Sequence, residues 1–187
     1  VINNIKNLNN YKIYKKLKDI PSLDSFILKP EIISNYWLRA QKKIIELQPK
    51  KIFFFKTHNA QIKFNSFDFT NSFVTRGFIY IVRDPRNFLL STMDHYGHKT
   101  YEKAAEYLLS DKHITYVKGN LMPEFILSWK SHFLSWKFFL KENKIKIFEE
   151  NDITYEVSFE ISNDKTHLFI ESRSYQSSKV YKLRFNY

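Results

Sequence analysis

Two short runs of aromatic and aliphatic side chains, residues 51–58 (KIFFFKTH) and 78–82 (FIYIV), each stop at basic or polar residues and are bounded by helix-type sequence. Runs of that length and composition suit strands buried on both faces of a parallel sheet. They restrict the chain to architectures in which helices return it from one strand to the next. The flanking segments comply. Residues 1–20 read as a Lys-rich amphipathic helix or helix pair, with Ile5, Leu8, Tyr11, Ile13 and Leu17 at helical spacing and Pro21 as the break. Pro30 stands where a first helical residue belongs, and Ile33, Trp37, Ala40, Ile44 and Leu47 follow at intervals of three or four before Pro49.

Residues 59–76, rich in Asn, Ser and Thr, read as an irregular connection. After the second run, Asp84 and Pro85 form a helix start that Gly97 closes. Further helices are expected over 101–109 and 123–142, and a third strand over 144–148 (KIKIF). Beyond Asn151 the period changes. Val157, Phe159 and Ile161 alternate with Ser158, Glu160 and Ser162, and Asn163-Asp164 offers a turn into another β-like run.

Apolar residues make up 43% of the 187, enough to bury a core and to exclude global disorder. No apolar run is long enough to span a bilayer and no signal-type segment opens the chain, so a soluble cytoplasmic protein is expected. The absence of cysteine excludes disulfide frameworks and thiolate metal sites. The net charge of +11 fits a polyanionic partner, and it equally fits the Lys-, Asn- and Ile-rich usage of an AT-rich genome. Residues 151–187 hold five basic and five acidic side chains, so the whole excess lies in residues 1–150. The chain opens on Val rather than Met, as a partial chain would.

Two clusters bear on chemistry. Arg83-Asp84-Pro85-Arg86-Asn87-Phe88-Leu89-Leu90-Ser91 puts an arginine at a strand's carboxyl end and a serine two turns into the next helix. That is either a capped surface helix or an anion site, since ligands of open α/β sheets collect there and a guanidinium holds phosphate bidentately. Phe55-Lys56-Thr57-His58 puts a cation and an imidazole two apart at another strand end. The pair is either incidental or suited to moving an anionic group onto a hydroxyl, the histidine taking the proton and the lysine balancing charge.

Together these stretches resemble the sulfotransferases that use 3′-phosphoadenosine 5′-phosphosulfate (PAPS), in particular a bacterial branch carrying His58-Asn59 and VRDPRN. The resemblance covers roughly residues 5–150 and adds a W-x-x-H-x-x-x-W helix (Trp129, His132, Trp136) and an aromatic-acid element, Phe148-Glu149-Glu150. It implies a P-loop-NTPase-like three-layer α/β fold with a central parallel sheet. It also implies His58 as base, Lys56 as stabiliser of the sulfuryl group, Arg83 and Ser91 as ligands of the nucleotide 3′-phosphate, and Phe148 as an adenine contact. His132 and the tryptophans read as packing residues. No metal is required, the product is adenosine 3′,5′-bisphosphate, and the acceptor is a small molecule or glycan.

The departures matter as much. The family's P-K-S/T-G-x-T-W loop, which wraps the 5′-phosphosulfate, is not among the 187 residues, whose glycines are Gly77, Gly97 and Gly119. The sheet is therefore expected to be incomplete at its N-terminal side and the chain to be inactive by itself. No R-K-G loop appears in residues 151–187, which form a separate β-rich segment of divergent or frameshifted origin. Asp94, His95 and His98 read as solvated residues rather than a metal site. The alternatives are a non-catalytic nucleotide-binding pseudoenzyme and a basic nucleic-acid-binding protein; the second lacks any recognised motif.

Overall fold

Asn7, Asn9 and Asn10 decide how the chain begins. In a computed structural model that describes residues 6–20, 29–49, 51–82, 85–115, 122–143, 156–161, 167–173 and 178–184, the Asn9 N–H donates to Asn7 Oδ1 and the Lys12 N–H to Asn10 Oδ1, each across 2.9 Å. Short amide side chains that satisfy nearby backbone N–H groups compete with helix. From Lys6 on, the helix or helix pair expected over residues 1–20 is accordingly replaced by a strand, β1 (Lys6–Asn7), and a single turn, α1 (Tyr11–Tyr14), capped by Asn10. β1 runs parallel to β2 (Phe55–Lys56), and Leu8 N–H extends the ladder to the Lys56 carbonyl at 2.8 Å.

The proline-started helix forms as expected. α2 (Pro30–Ile33) passes through a 3₁₀ turn at Ser34–Tyr36 into α3 (Trp37–Leu47), burying Ile33, Trp37, Ala40 and Ile44 on one stripe. Trp37 anchors the core, edge-on to Phe69 at 5.5 Å and to Phe125 at 5.4 Å between ring centroids. Within the expected irregular connection lies a hairpin, β3 (Lys63–Phe64) and β4 (Phe67–Asp68). Its two turn residues, Asn65 and Ser66, both have positive φ (46° and 67°), the geometry that matches strand twist in tight hairpins. Gln41 on α3 fastens the segment after the hairpin, donating to the Phe69 carbonyl at 2.7 Å and accepting from the Thr70 hydroxyl at 2.7 Å.

Residues 78–82 belong to no strand, so the parallel pairing expected between 51–57 and 78–83 is not formed among the described residues. Their burial is one-sided. Phe78 packs on Trp136 and Phe139, Tyr80 on His132 and Phe133, while Ile81 is 58% exposed. α4 (Pro85–Tyr96) starts at the proline as expected and stops at Gly97, whose φ of 67° is left-handed. α5 (Tyr101–Leu109) comes next, with the Thr100 side chain accepting from the Lys103 N–H.

The helix expected from residue 123 begins later. Glu124 and Phe125 form β6, antiparallel to β5 (Ile114–Thr115), and α6 (Trp129–Asn143) starts only after Leu127 takes φ 57°. Ser128 Oγ then accepts from the Ser131 N–H at 3.1 Å and caps α6. The third strand expected at 144–148 and the Asn163-Asp164 turn lie outside the described residues. The β-like C-terminal reading stands: β7 (Glu156–Ile161), β8 (His167–Arg173) and β9 (Ser178–Arg184) form an antiparallel meander. The described residues are thus mixed α/β, with small sheets of two or three strands and several helices. Among the described residues no helix is long and apolar enough to cross a membrane.

Candidate functional site

The carboxyl end of β2 carries the site. Lys56 closes the strand and is exposed, and two residues on the His58 side chain is 51% exposed. Its Nδ1 lies 3.2 and 3.3 Å from the two carboxylate oxygens of Glu124, whose side chain is only 7% exposed. An acid this buried needs partners to stay charged. Besides the imidazole, Glu124 Oε1 accepts a short hydrogen bond from the Asn9 side-chain amide.

Asn9 is held in turn. Its Oδ1 accepts from Asn59 Nδ2 at 2.8 Å, and Asn59 Oδ1 accepts from the Phe125 N–H at 2.8 Å. The Asn9 carbonyl takes the Met122 N–H at 2.8 Å, and Thr57 Oγ1 accepts the Asn59 N–H at 3.0 Å. Three segments far apart in sequence, around Asn9, residues 57–59 and residues 122–125, are thereby stitched into one buried polar knot with His58 at its rim.

Helix α6 grips the same loop from the other side. His132 Nε2 lies 3.1 Å from the His58 carbonyl, Trp136 Nε1–H donates to the Asn59 carbonyl at 3.0 Å, and Ser135 Oγ accepts the Gln61 N–H at 3.0 Å. Because a carbonyl only accepts, His132 carries its proton on Nε2. Its Nδ1, 2.6 Å from the Tyr80 hydroxyl, is then the acceptor of the Tyr80 O–H. Burial holds the His132 ring below the usual histidine range and pushes the Tyr80 phenol up, so both favour their neutral forms. His132 and Trp136 do pack, as expected of them, and they also fix the backbone that presents His58. Trp129 stacks on Phe133.

Of the remaining expected residues, Ser91 sits exposed two turns into α4, while Arg83 and Phe148 lie outside the described residues. Asp94 and His95 are exposed, whereas His98, expected to be solvated, is half-buried with its ring 5.4 Å from that of Tyr107; among the described residues no cluster of three or more acids and histidines is placed to hold a metal. His113 packs its ring 3.8 Å from that of Tyr107, and its Nε2 lies 3.3 Å from Thr115 Oγ1. Glu124, Asn9 and Tyr80 escaped the sequence reading. A signal existed for the first: Glu124 is the single acid in the apolar run 121–127 (LMPEFIL), and an acid there requires a partner. No family model matches the chain, and neither a curated protein nor a solved structure matches it.

Proposed function

We propose that the chain carries the catalytic half of a PAPS-dependent sulfotransferase, with His58 as general base and Lys56 as charge stabiliser. The observation that supports this reading is the meeting of two motifs more than seventy residues apart: His132 and Trp136 of the W-x-x-H-x-x-x-W helix bond the carbonyls of His58 and Asn59 in the K-T-H-N segment. Motifs that merely coincided in sequence would have no reason to share a backbone loop. In the reaction the acceptor oxygen forms its bond to sulfur as its proton passes to His58. The sulfur–oxygen bond to the 5′-phosphate breaks, and its electron pair stays on the phosphate oxygen. Lys56, the last residue of the strand from which that loop leaves, would offset the charge that moves. Arg83 and Ser91 are proposed to hold the 3′-phosphate and Phe148 the adenine, on a proposed P-loop-like three-layer scaffold that the parallel β1–β2 pair supports.

A second reading is nucleotide binding without turnover, since Arg83 to Ser91 is a phosphate-binding pattern that by itself requires no catalysis. Two measurements separate the readings. Calorimetry of the chain with adenosine 3′,5′-bisphosphate tests binding, and Arg83→Ala should weaken it by about 1.5–3 kcal/mol for a lost charge-assisted contact. Transfer from labelled PAPS to phenols, alcohols and amines is then assayed with a P-K-S/T-G-x-T-W strand–loop–helix fused ahead of Val1. Turnover that His58→Ala lowers by about 10²–10⁴-fold supports the enzyme. Binding without turnover supports the second reading, and absence of both overturns the assignment.

A further inference from the structure

The site contains one hydrogen-bond chain whose proton positions are set by a single backbone group. The Phe125 N–H can only donate, so the Asn59 oxygen must be the atom that receives it at 2.8 Å. Asn59 therefore presents its Nδ2 to Asn9, whose oxygen receives it at 2.8 Å. Asn9 then presents its own Nδ2 to Glu124 Oε1. With that oxygen already accepting, and both carboxylate oxygens within 3.2–3.3 Å of His58 Nδ1, the imidazole nitrogen has to supply a proton.

We infer that Glu124, oriented by Asn9, is the positioning residue of His58: it holds the ring in the Nδ1–H form and leaves the Nε2 lone pair facing outward as the proton acceptor. This deepens the function proposed above and rests on it for its catalytic meaning, though the proton placement stands on the geometry alone. A neutral imidazole in water prefers its proton on Nε2, the form unable to act as a base at that atom. A carboxylate at Nδ1 reverses the preference, and after proton transfer it faces the imidazolium directly. Among the described residues the side-chain hydrogen bonds of His58 run through Nδ1 to Glu124, and half the side chain is open to solvent. The buried carboxylate thus acts through the ring without touching substrate.

The test reads the tautomer on the 187-residue chain and needs no turnover. Long-range ¹H–¹⁵N correlation of histidine-labelled protein, at a pH where the ring is neutral, should give His58 a pyrrole-type Nδ1 and a pyridine-type Nε2. Glu124→Gln offers Nδ1 one oxygen, already shared with Asn9, and a competing amide N–H. The His58 signals should then move toward the Nε2–H pattern, while those of His132 keep the Nε2–H form in both proteins. An Nε2–H His58 in the unaltered chain would overturn the inference, as would a Gln variant with unchanged His58 signals. Should the variant fail to fold, the unaltered chain still decides. A correct tautomer with no sulfuryl transfer by the loop-fused protein would sink the proposed reaction and leave this placement standing, and the reverse result would sink Glu124 alone.

Discussion

The indole N–H of Trp136 donates to the carbonyl oxygen of Asn59 across 3.0 Å, and the same ring packs on Phe78 at 4.6 Å and on Phe139 at 6.0 Å. One side chain therefore contributes to the core and also supplies the partner that a buried carbonyl needs. Trp136→Phe separates the two roles. It keeps an aromatic ring and strands the carbonyl, which should cost about 1–3 kcal/mol. Urea denaturation would show this as a lower midpoint with an unchanged slope.

His132 should make stability depend on pH in one direction. Its folded-state pKa is lowered, chiefly by burial, so over the interval just below the ordinary histidine value the unfolded chain binds a proton that the folded chain refuses. Stability is then fully present above that ordinary value, near 6.5, and is lost as pH falls through the interval toward the folded pKa. His113, lowered by burial in the same way, adds to the slope. Denaturation midpoints at about pH 7.5 and about pH 5.5, on either side of the ordinary histidine value, measure the loss. His132→Gln, which keeps a donor and an acceptor but does not titrate, should flatten part of the dependence.

Ser66 offers a change in the opposite sense. Its φ of 67° is left-handed, which costs an L-residue roughly 1 kcal/mol and glycine almost nothing. Ser66→Gly should raise the denaturation midpoint, offset in part by the freedom glycine gains in the unfolded chain. A lower midpoint would mean that the serine supplies something the hairpin geometry does not reveal.

Trp37 is the strongest test of the core. At 1% exposure, and edge-on to both Phe69 and Phe125, it joins α3 to the hairpin and to β6 beside Glu124. Trp37→Ala should cost about 3–5 kcal/mol. Because Phe125 donates the N–H from which the site's polar chain starts, the His58 ring signals should shift in the same variant.

How far the sequence can be read depends on where its signals are local. The Pro30 helix, the start of α4 at Pro85, its stop at Gly97 and the alternation beyond Asn151 are local, and each reappears in the structure. Residues 1–20 misled because the spacing of Ile5, Leu8 and Tyr11 looks helical, while the Asn7 and Asn10 side chains compete for the backbone N–H groups of Asn9 and Lys12. Residues 78–82 misled because an apolar run does not say how many of its faces are covered. The position of His58 at the end of the 51–58 run was legible, being local. The role of Glu124 was not, since its partners lie 66 and 115 positions away and no periodicity links them.

Those separations also bear on the order in which the molecule is made. Asn9 leaves the ribosome long before Glu124, and the bond between them spans 115 positions. Closing loops of that length carries an entropy cost that local helices do not meet, so such contacts form after the hairpin at Asn65 and Ser66 and after the helices themselves. Until then Glu124 and Asn9 are separately hydrated and the His58 ring is free to choose its tautomer. Its ¹⁵N signal should therefore report, in a refolding experiment, when the two ends of the knot have met.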